Sequence, residues 1–270
     1  MSKLTGDAEM LAEFERLALA AGAEIMDVFR AGITVEEKSD HSPVTQADRR
    51  AEIVILEGLR KAFPHIPCVA EEEASAGLIP PALGQEFFLI DPLDGTKEFI
   101  KRRPDFTVNI ALIRHGEPVI GVVYAPAQGM LYAGRPGKAY AVTVTEDHAP
   151  VDRSEISVRS CASPKTIVAS RSHRTPETDE FIVQHDGAEI VSVGSSLKFC
   201  LLADGKADLY PRFGRTMEWD TAAGDAVLRA AGGSTRLIDG GPFTYGKRNQ
   251  AEDADFANPW FVAQGAPASS

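Results

Sequence analysis

Apolar residues in the first stretch of the chain recur at helical spacing. Leu11, Phe14, Leu17, Ala21, Ile25 and Val28 fall three or four positions apart between residues 7 and 31, which predicts a helix with one buried face that stops at Gly32. A second helix is expected from Thr45 to about Phe63, with Thr45 as its N-cap and Asp48 as the acid of its first turn. The run Phe87-Phe88-Leu89-Ile90 ends at Asp91-Pro92, the pattern of a buried strand that delivers an aspartate at its C-terminal edge. From Phe106 to Val142, apolar runs are separated by turn signals at His115-Gly116, Pro126 to Gly129 and Arg135-Pro136-Gly137, which predicts an antiparallel meander.

A polar stretch covers residues 143 to 160. Strand-like and helix-like segments then alternate: Thr166 to Ser170, Pro176 to Gln184, Glu189 to Val193, Ser195 to Asp204, Ala207 to Phe213 and Thr221 to Ala231. The fold class expected is α+β over residues 1–150 and α/β over residues 151–270, two subdomains sharing one cleft. No internal repeat occurs, and the small-residue tail from Gly265 to Ser270 is expected to fray.

Composition narrows the function classes. With 270 residues, 44% hydrophobic and 25% charged, the chain can bury a sizeable core. A net charge of −11 argues against a nucleic-acid polymer or an anionic membrane as partner, since either needs a basic surface. A small anionic substrate stays possible if a bound cation helps to hold it. Cys68, Cys161 and Cys200 are odd in number and far apart, so three buried free thiols are expected. The N-terminus has no apolar signal core and no run of 18 apolar residues occurs. The expectation is a cytoplasmic location without an integral membrane segment, leaving open peripheral association with the inner membrane.

Candidate chemistry centres on Asp91-Pro92-Leu93-Asp94-Gly95-Thr96, where a strand hands two carboxylates to a tight turn. Oxygen-rich turns suit hard divalent cations, Mg2+ in particular, although Asp and Gly also occur in turns for backbone reasons alone. An EF-hand with Gly95 at its sixth position fails, because Ile90, Pro92 and Lys101 stand where oxygen ligands are needed. An aspartyl-phosphate mechanism also fails, since its nucleophile would fall at Pro92.

Four blocks in this order resemble the signature elements of the inositol monophosphatase superfamily: Val44-Thr45-Gln46-Ala47-Asp48, Glu71-Glu72, Asp91 to Thr96, and Trp219-Asp220-Thr221-Ala222-Ala223-Gly224-Asp225-Ala226. The resemblance runs from about residue 10 to 263. Further segments are similar to those of its CysQ-type 3'(2'),5'-bisphosphate nucleotidase branch: Asp94 to Ile100, Phe106 to Leu112, Ser170 to His173, Gly194 to Cys200 and Leu209 to Gly214. Ser42 before Pro43 and Ala70 before the glutamate pair depart from the family pattern without removing a ligand.

The resemblance implies a layered αβαβα sandwich. It also implies a Mg2+-dependent phosphomonoesterase that converts 3'-phosphoadenosine 5'-phosphate to AMP by attack of metal-activated water. Inositol monophosphatase or fructose-1,6-bisphosphatase activity on the same scaffold is the alternative. A metal- and phosphate-binding sensor is a rival of another class, disfavoured because Thr96 and Asp48 accompany the ligands. By resemblance, Glu71, Asp91 and the Leu93 carbonyl hold one ion, and Asp91, Asp94 and Asp220 a second. Asp48 helps with a third ion or its water, so two to three ions are implied. Thr96 and Asp48 would orient and deprotonate the attacking water, and the N–H groups near Gly95 and Thr96 would cradle the phosphate. Lys198, Ser195, His173 and Arg212 would hold the second phosphate or the ribose, although Lys198 or His173 taken alone also reads as a solvated surface residue. The expected partner is a small phosphorylated nucleotide, and the assembly a monomer or homodimer.

Overall fold

The computed structural model of the chain describes residues 6–37, 43–160, 164–170 and 174–266. The first half runs through α1 (Asp7–Ala31), the short antiparallel pair β1 (Val35–Glu37) and β2 (Pro43–Thr45), α2 (Gln46–Ala62), β3 (Cys68–Ala70) and α3 (Glu71–Ser75). It continues through β4 (Glu86–Asp94), α4 (Thr96–Ile100), β5 (Thr107–Arg114), β6 (Glu117–Ala125), β7 (Met130–Arg135), β8 (Lys138–Val144) and β9 (Pro150–Ile156). The second half holds β10 (Thr166–Ser170), α5 (Pro176–Val183), β11 (Glu189–Val193), α6 (Leu197–Ala203), β12 (Leu209–Arg212) and β13 (Thr216–Met217). It ends with α7 (Glu218–Ala230), β14 (Ser234–Leu237), β15 (Ala257–Asn258) and β16 (Phe261–Gln264).

Strands β3 to β9 form one sheet in sequence order, antiparallel except for the β3–β4 pair. Its central strands are apolar on both faces because both are covered. Phe88, Ile110 and Val122 pack with Phe14, Leu17 and Ile25 of α1 and Ile55 of α2. Leu89, Ala111 and Val123 pack on the other side with Phe199 of α6 and Ala223 and Val227 of α7. A second sheet in the order β11-β10-β12-β16-β14 lies beyond α6 and α7, and α5 contacts β12. The layers are therefore helix, sheet, helix, sheet, helix, the αβαβα sandwich expected.

Helix α7 lies unusually close to the large sheet. A Cβ on Gly121 of β6 would stand 2.4 Å from the Ala223 carbonyl oxygen, and one on Gly134 of β7 would stand 2.7 Å from the Val227 Cα. Those two glycines let the helix backbone rest on the strands, and the helix carries Asp220 in its first turn.

The helix over residues 7–31 ends as expected at Gly32, whose φ of +128° lies outside the helical region. Two expectations need correction. Strand β4 does not stop at Asp91-Pro92 but continues to Asp94, because the register slips by one residue between Asp91 and Asp94. A bulge is one of the few places where a strand tolerates a proline, which has no N–H to give to the ladder. The polar stretch 143–160 is not a plain break: its middle is β9, an edge strand whose residues are exposed from Pro150 to Glu155. Successive residues of β9 point to opposite faces and all are exposed up to Glu155, so neither face is covered and the apolar alternation that marks a half-buried strand in sequence is missing. Cys68 and Cys200 are buried free thiols, and Cys161 lies outside the described residues.

Candidate active site

The candidate carboxylates come from four elements, and Asp48 stands behind Thr96 without lining the cleft that the other four acids share. Asp48 stands in the first turn of α2, where Thr45 caps the helix and Asp48 Oδ2 accepts from the Thr45 N–H at 2.8 Å and from its hydroxyl at 2.7 Å. Glu71 opens α3 immediately after β3, and no side chain of its own segment caps that helix. Asp91 and Asp94 flank the bulge of β4, and the Leu93 N–H donates to Asp91 Oδ1 at 2.9 Å. Asp220 accepts from the Met217 N–H at 2.8 Å. Glu71, Asp91, Leu93, Asp94, Gly95, Thr96 and Asp220 line the cleft together, and the Glu71 and Asp91 carboxyls are in hydrogen-bonding contact.

Crowding and burial act on these acids in one direction. Asp91 is raised well above the ordinary carboxylate range, first by burial and then by Glu71, Asp94 and Asp220. Asp220 is pushed to about 8 by burial and by Asp94 and Glu71. Asp94 is also raised by burial, opposed by Lys198 and Ser196. Asp48 is raised by burial against the pull of its Thr45 hydrogen bonds. Protons relieve such a cluster in water alone, and divalent cations relieve it while leaving the oxygens ionised.

The donor set is all oxygen, which fits Mg2+ or another hard cation. Among the described residues no three His, Cys, Asp or Glu side chains are gathered as a ready-made metal shell.

Thr96 connects the acids of α2 and β4: its hydroxyl is 3.1 Å from Asp48 Oδ1 and 3.2 Å from the Leu93 carbonyl oxygen. Gly95 holds φ +95°, and a Cβ there would meet the Asp105 carbonyl oxygen at 3.0 Å, so the turn between Asp94 and Thr96 requires glycine.

The same cleft is also lined by two cations. Lys198 is only 5% exposed, near the start of α6, with its ammonium donating to the Ser195 carbonyl and 5.3 Å from the Tyr210 ring centroid. Burial lowers its pKa to about 8, against the raising effect of Asp94 and with the lowering effect of Arg212. Arg212 is 8% exposed at the end of β12; its Nη2 donates to the Arg215 carbonyl at 2.9 Å, and its Nε has no partner among the described residues. Ser195 lines the same cleft in the left-handed region with φ +49°. The position of His173 lies outside the described residues.

Sequence reasoning gave no individual role to Ser196, Asn109 or Glu52. Ser196 Oγ lies 3.0 Å from Asp94 Oδ2 and accepts from the Asn109 amide at 2.9 Å. Glu52 accepts from the Glu72 and Glu73 N–H groups at 2.8 and 3.0 Å, supplying from α2 the cap that α3 lacks. The one sequence signal for Glu52 is its place a helical turn after Asp48.

A layered α/β protein whose cleft gathers four acids at a strand bulge and two helix starts, with two buried cations in the same lining, has the make-up of a phosphate-handling enzyme. More particularly, the chain belongs to the inositol monophosphatase family, whose sequence profile matches residues 7–265. It is 46% identical over 254 residues to the 3'(2'),5'-bisphosphate nucleotidase CysQ of Escherichia coli (strain K12), covering 93% of this chain and 98% of that one. The crystal structure of CysQ from Bacteroides thetaiotaomicron superposes with a TM-score of 0.77 at 35% identity, over 97% of this chain and 99% of that one. An inositol monophosphatase from Anabaena (Nostoc) sp. PCC 7120 gives a TM-score of 0.69 at 25% identity, over 94% and 90% of the two chains.

Proposed function

We propose that this chain is a metal-dependent phosphatase, a 3'(2'),5'-bisphosphate nucleotidase that uses two to three Mg2+ ions to hydrolyse 3'-phosphoadenosine 5'-phosphate to AMP and phosphate. One observation carries the reading: the cleft is lined both by the carboxylates and by the buried cations Lys198 and Arg212. A monophosphate needs the first set, and a substrate with two phosphates can use both. The 46% identity to a named bisphosphate nucleotidase supports the same choice.

In this reading residues 1–150 supply Asp48, Glu71, Asp91, the Leu93 carbonyl and Asp94, and residues 151–270 supply Asp220 and the specificity residues. Glu71, Asp91 and the Leu93 carbonyl would hold one ion, Asp91, Asp94 and Asp220 would hold a second, and Asp48 would help with a third ion or its water. When bound, Mg2+ neutralises phosphate charge and makes a nearby water more acidic. Thr96 directs its proton toward Asp48 Oδ1, so the hydroxyl oxygen can accept a proton from water as Asp48 takes the one that leaves. The N–H groups near Gly95 and Thr96 bind the phosphate being cleaved. Lys198, Arg212, Ser195 and His173 bind the phosphate that stays or the ribose.

Phosphate release from 3'-phosphoadenosine 5'-phosphate, inositol 1-phosphate and fructose 1,6-bisphosphate tests this directly. With Mg2+ the nucleotide should be turned over with the highest kcat/KM. EDTA should stop release, and excess Ca2+ should inhibit, because Ca2+ fills oxygen sites with looser geometry. Preference for inositol 1-phosphate, or full activity in EDTA after verified metal removal, overturns the assignment.

A further inference from the structure

Ser196 precedes α6, yet its side chain makes no capping bond to that helix; the neighbouring Ser195 Oγ is the one near the Leu197 N–H, at 3.4 Å. The Ser196 hydroxyl turns the other way. It lies 2.6 Å from the Asp220 carbonyl oxygen and 3.0 Å from Asp94 Oδ2, and it accepts from the Asn109 amide at 2.9 Å. The Ser196 backbone N–H also donates to the Asp94 carboxylate. Both Ser196 and Asn109 are buried, and Asn109 stands opposite Asp91 in the β4–β5 ladder.

A hydroxyl has one proton and two lone pairs. Asn109 occupies a lone pair, which fixes the rotor so that the single proton is shared between Asp220 O and Asp94 Oδ2. We propose that Ser196, held by Asn109, is a positioning residue that sets Asp94 and the first turn of α7 at the separation their common metal ion requires. The inference rests on the nucleotidase reading above. Asp94 comes from one half of the chain and Asp220 from the other, and Ser196 hydrogen-bonds to both residues. Hydrogen-bond partners of metal-ligating carboxylates change metal affinity by about 10- to 100-fold when removed.

The test uses the full chain with Ser196→Ala, which removes the donor, and Ser196→Cys, which keeps the volume but donates weakly. Two quantities are read: Tm in EDTA, and the Mg2+ concentration giving half of the Mg2+-induced rise in Tm. The expected result is a Tm in EDTA within a few degrees of the parent and a half-rise concentration increased at least about tenfold for Ser196→Ala, less for Ser196→Cys. Half-activating Mg2+ for phosphate release should rise in parallel, with the substrate KM at saturating Mg2+ changed by less than about threefold. If Ser196→Ala does not fold, a raised Mg2+ requirement in folded Ser196→Cys supports the inference. Unchanged Mg2+ requirement in either folded variant overturns it. Absence of nucleotide hydrolysis by the parent chain overturns the function reading instead, and the two failures are seen in different samples.

Discussion

Replacing Lys198 by methionine keeps most of the side chain's length and removes its charge, which separates the effect of the charge from that of packing. Lys198 is 5% exposed and lines the cleft near Asp94 and Arg212. With its pKa lowered to about 8, it is still mostly protonated at neutral pH. A hydrogen bond to a charged group contributes about 1.5 to 3 kcal/mol, a factor of roughly 10 to 150 in kcat/KM. That loss belongs to the substrate with a second phosphate. Lys198 also opposes the rise in the Asp94 pKa, so its removal leaves the acid cluster more negative and should not weaken Mg2+ binding. The assay is the ratio of kcat/KM for 3'-phosphoadenosine 5'-phosphate to that for inositol 1-phosphate at saturating Mg2+. The ratio should fall by about tenfold or more in Lys198→Met, with the monophosphate changed by less than about threefold. An unchanged ratio, through equal losses on both substrates, would mean that Lys198 serves the fold or the metals, and the second-phosphate argument would be wrong.

Asp94→Asn removes one charge from a metal site at nearly constant shape, so it should lower kcat by several orders of magnitude while far-UV circular dichroism stays that of the parent; near-parental turnover contradicts the metal assignment. Gly121→Ala drives a methyl to within 2.4 Å of the Ala223 carbonyl oxygen, an overpacking that costs about 1 to 3 kcal/mol and should lower Tm by several degrees; an unchanged Tm would show that α7 does not need its close approach. Burial raises the Glu52 pKa from 4.5 to about 7, so its contribution to stability is present below the unfolded value and lost as pH rises through about 7. In EDTA the parent should therefore lose more stability between pH 5 and 8 than Glu52→Gln, by at most about 1.4 kcal/mol per pH unit, and identical pH slopes would refute the shift.

Much of this architecture was legible because its elements are internally patterned. The stripe from Leu11 to Val28, the Thr45 cap and the Phe87–Ile90 run each announce an element by local spacing, and all three elements form, the strand running on to Asp94. What escaped was set by neighbours distant in sequence. Strand β9 owes its existence to pairing with β8, and β14 and β16 to pairing with one another and with β12. The bulge that separates Asp91 from Asp94 depends on the register against Asn109 and Thr107. Asn109 and Ser196 were visible as letters in matching segments, but their hydrogen bond joins β5 to the start of α6 across 87 positions. Periodicity cannot report a contact of that kind.

The position of the site follows from the same long-range packing. Asp48, Glu71 and the β4 aspartates are anchored by α2, α3 and the large sheet, so their mutual geometry is settled within one half of the chain. Asp220 arrives on α7, whose placement is fixed by contact with Gly121 and Gly134 along its length. A carboxylate carried by a helix that rests on bare backbone has little freedom to retreat from its neighbours, of which Asp91 is itself buried. Burial and mutual repulsion therefore raise Asp91, Asp94 and Asp220 together. The helix packing that assembles the acids thus creates the demand for positive charge that bound ions meet. An acidic chain can in this way present a locally cationic face to a phosphate without a basic surface, and in the proposed reading Lys198 and Arg212, in the same cleft, would supply only what a second phosphate adds.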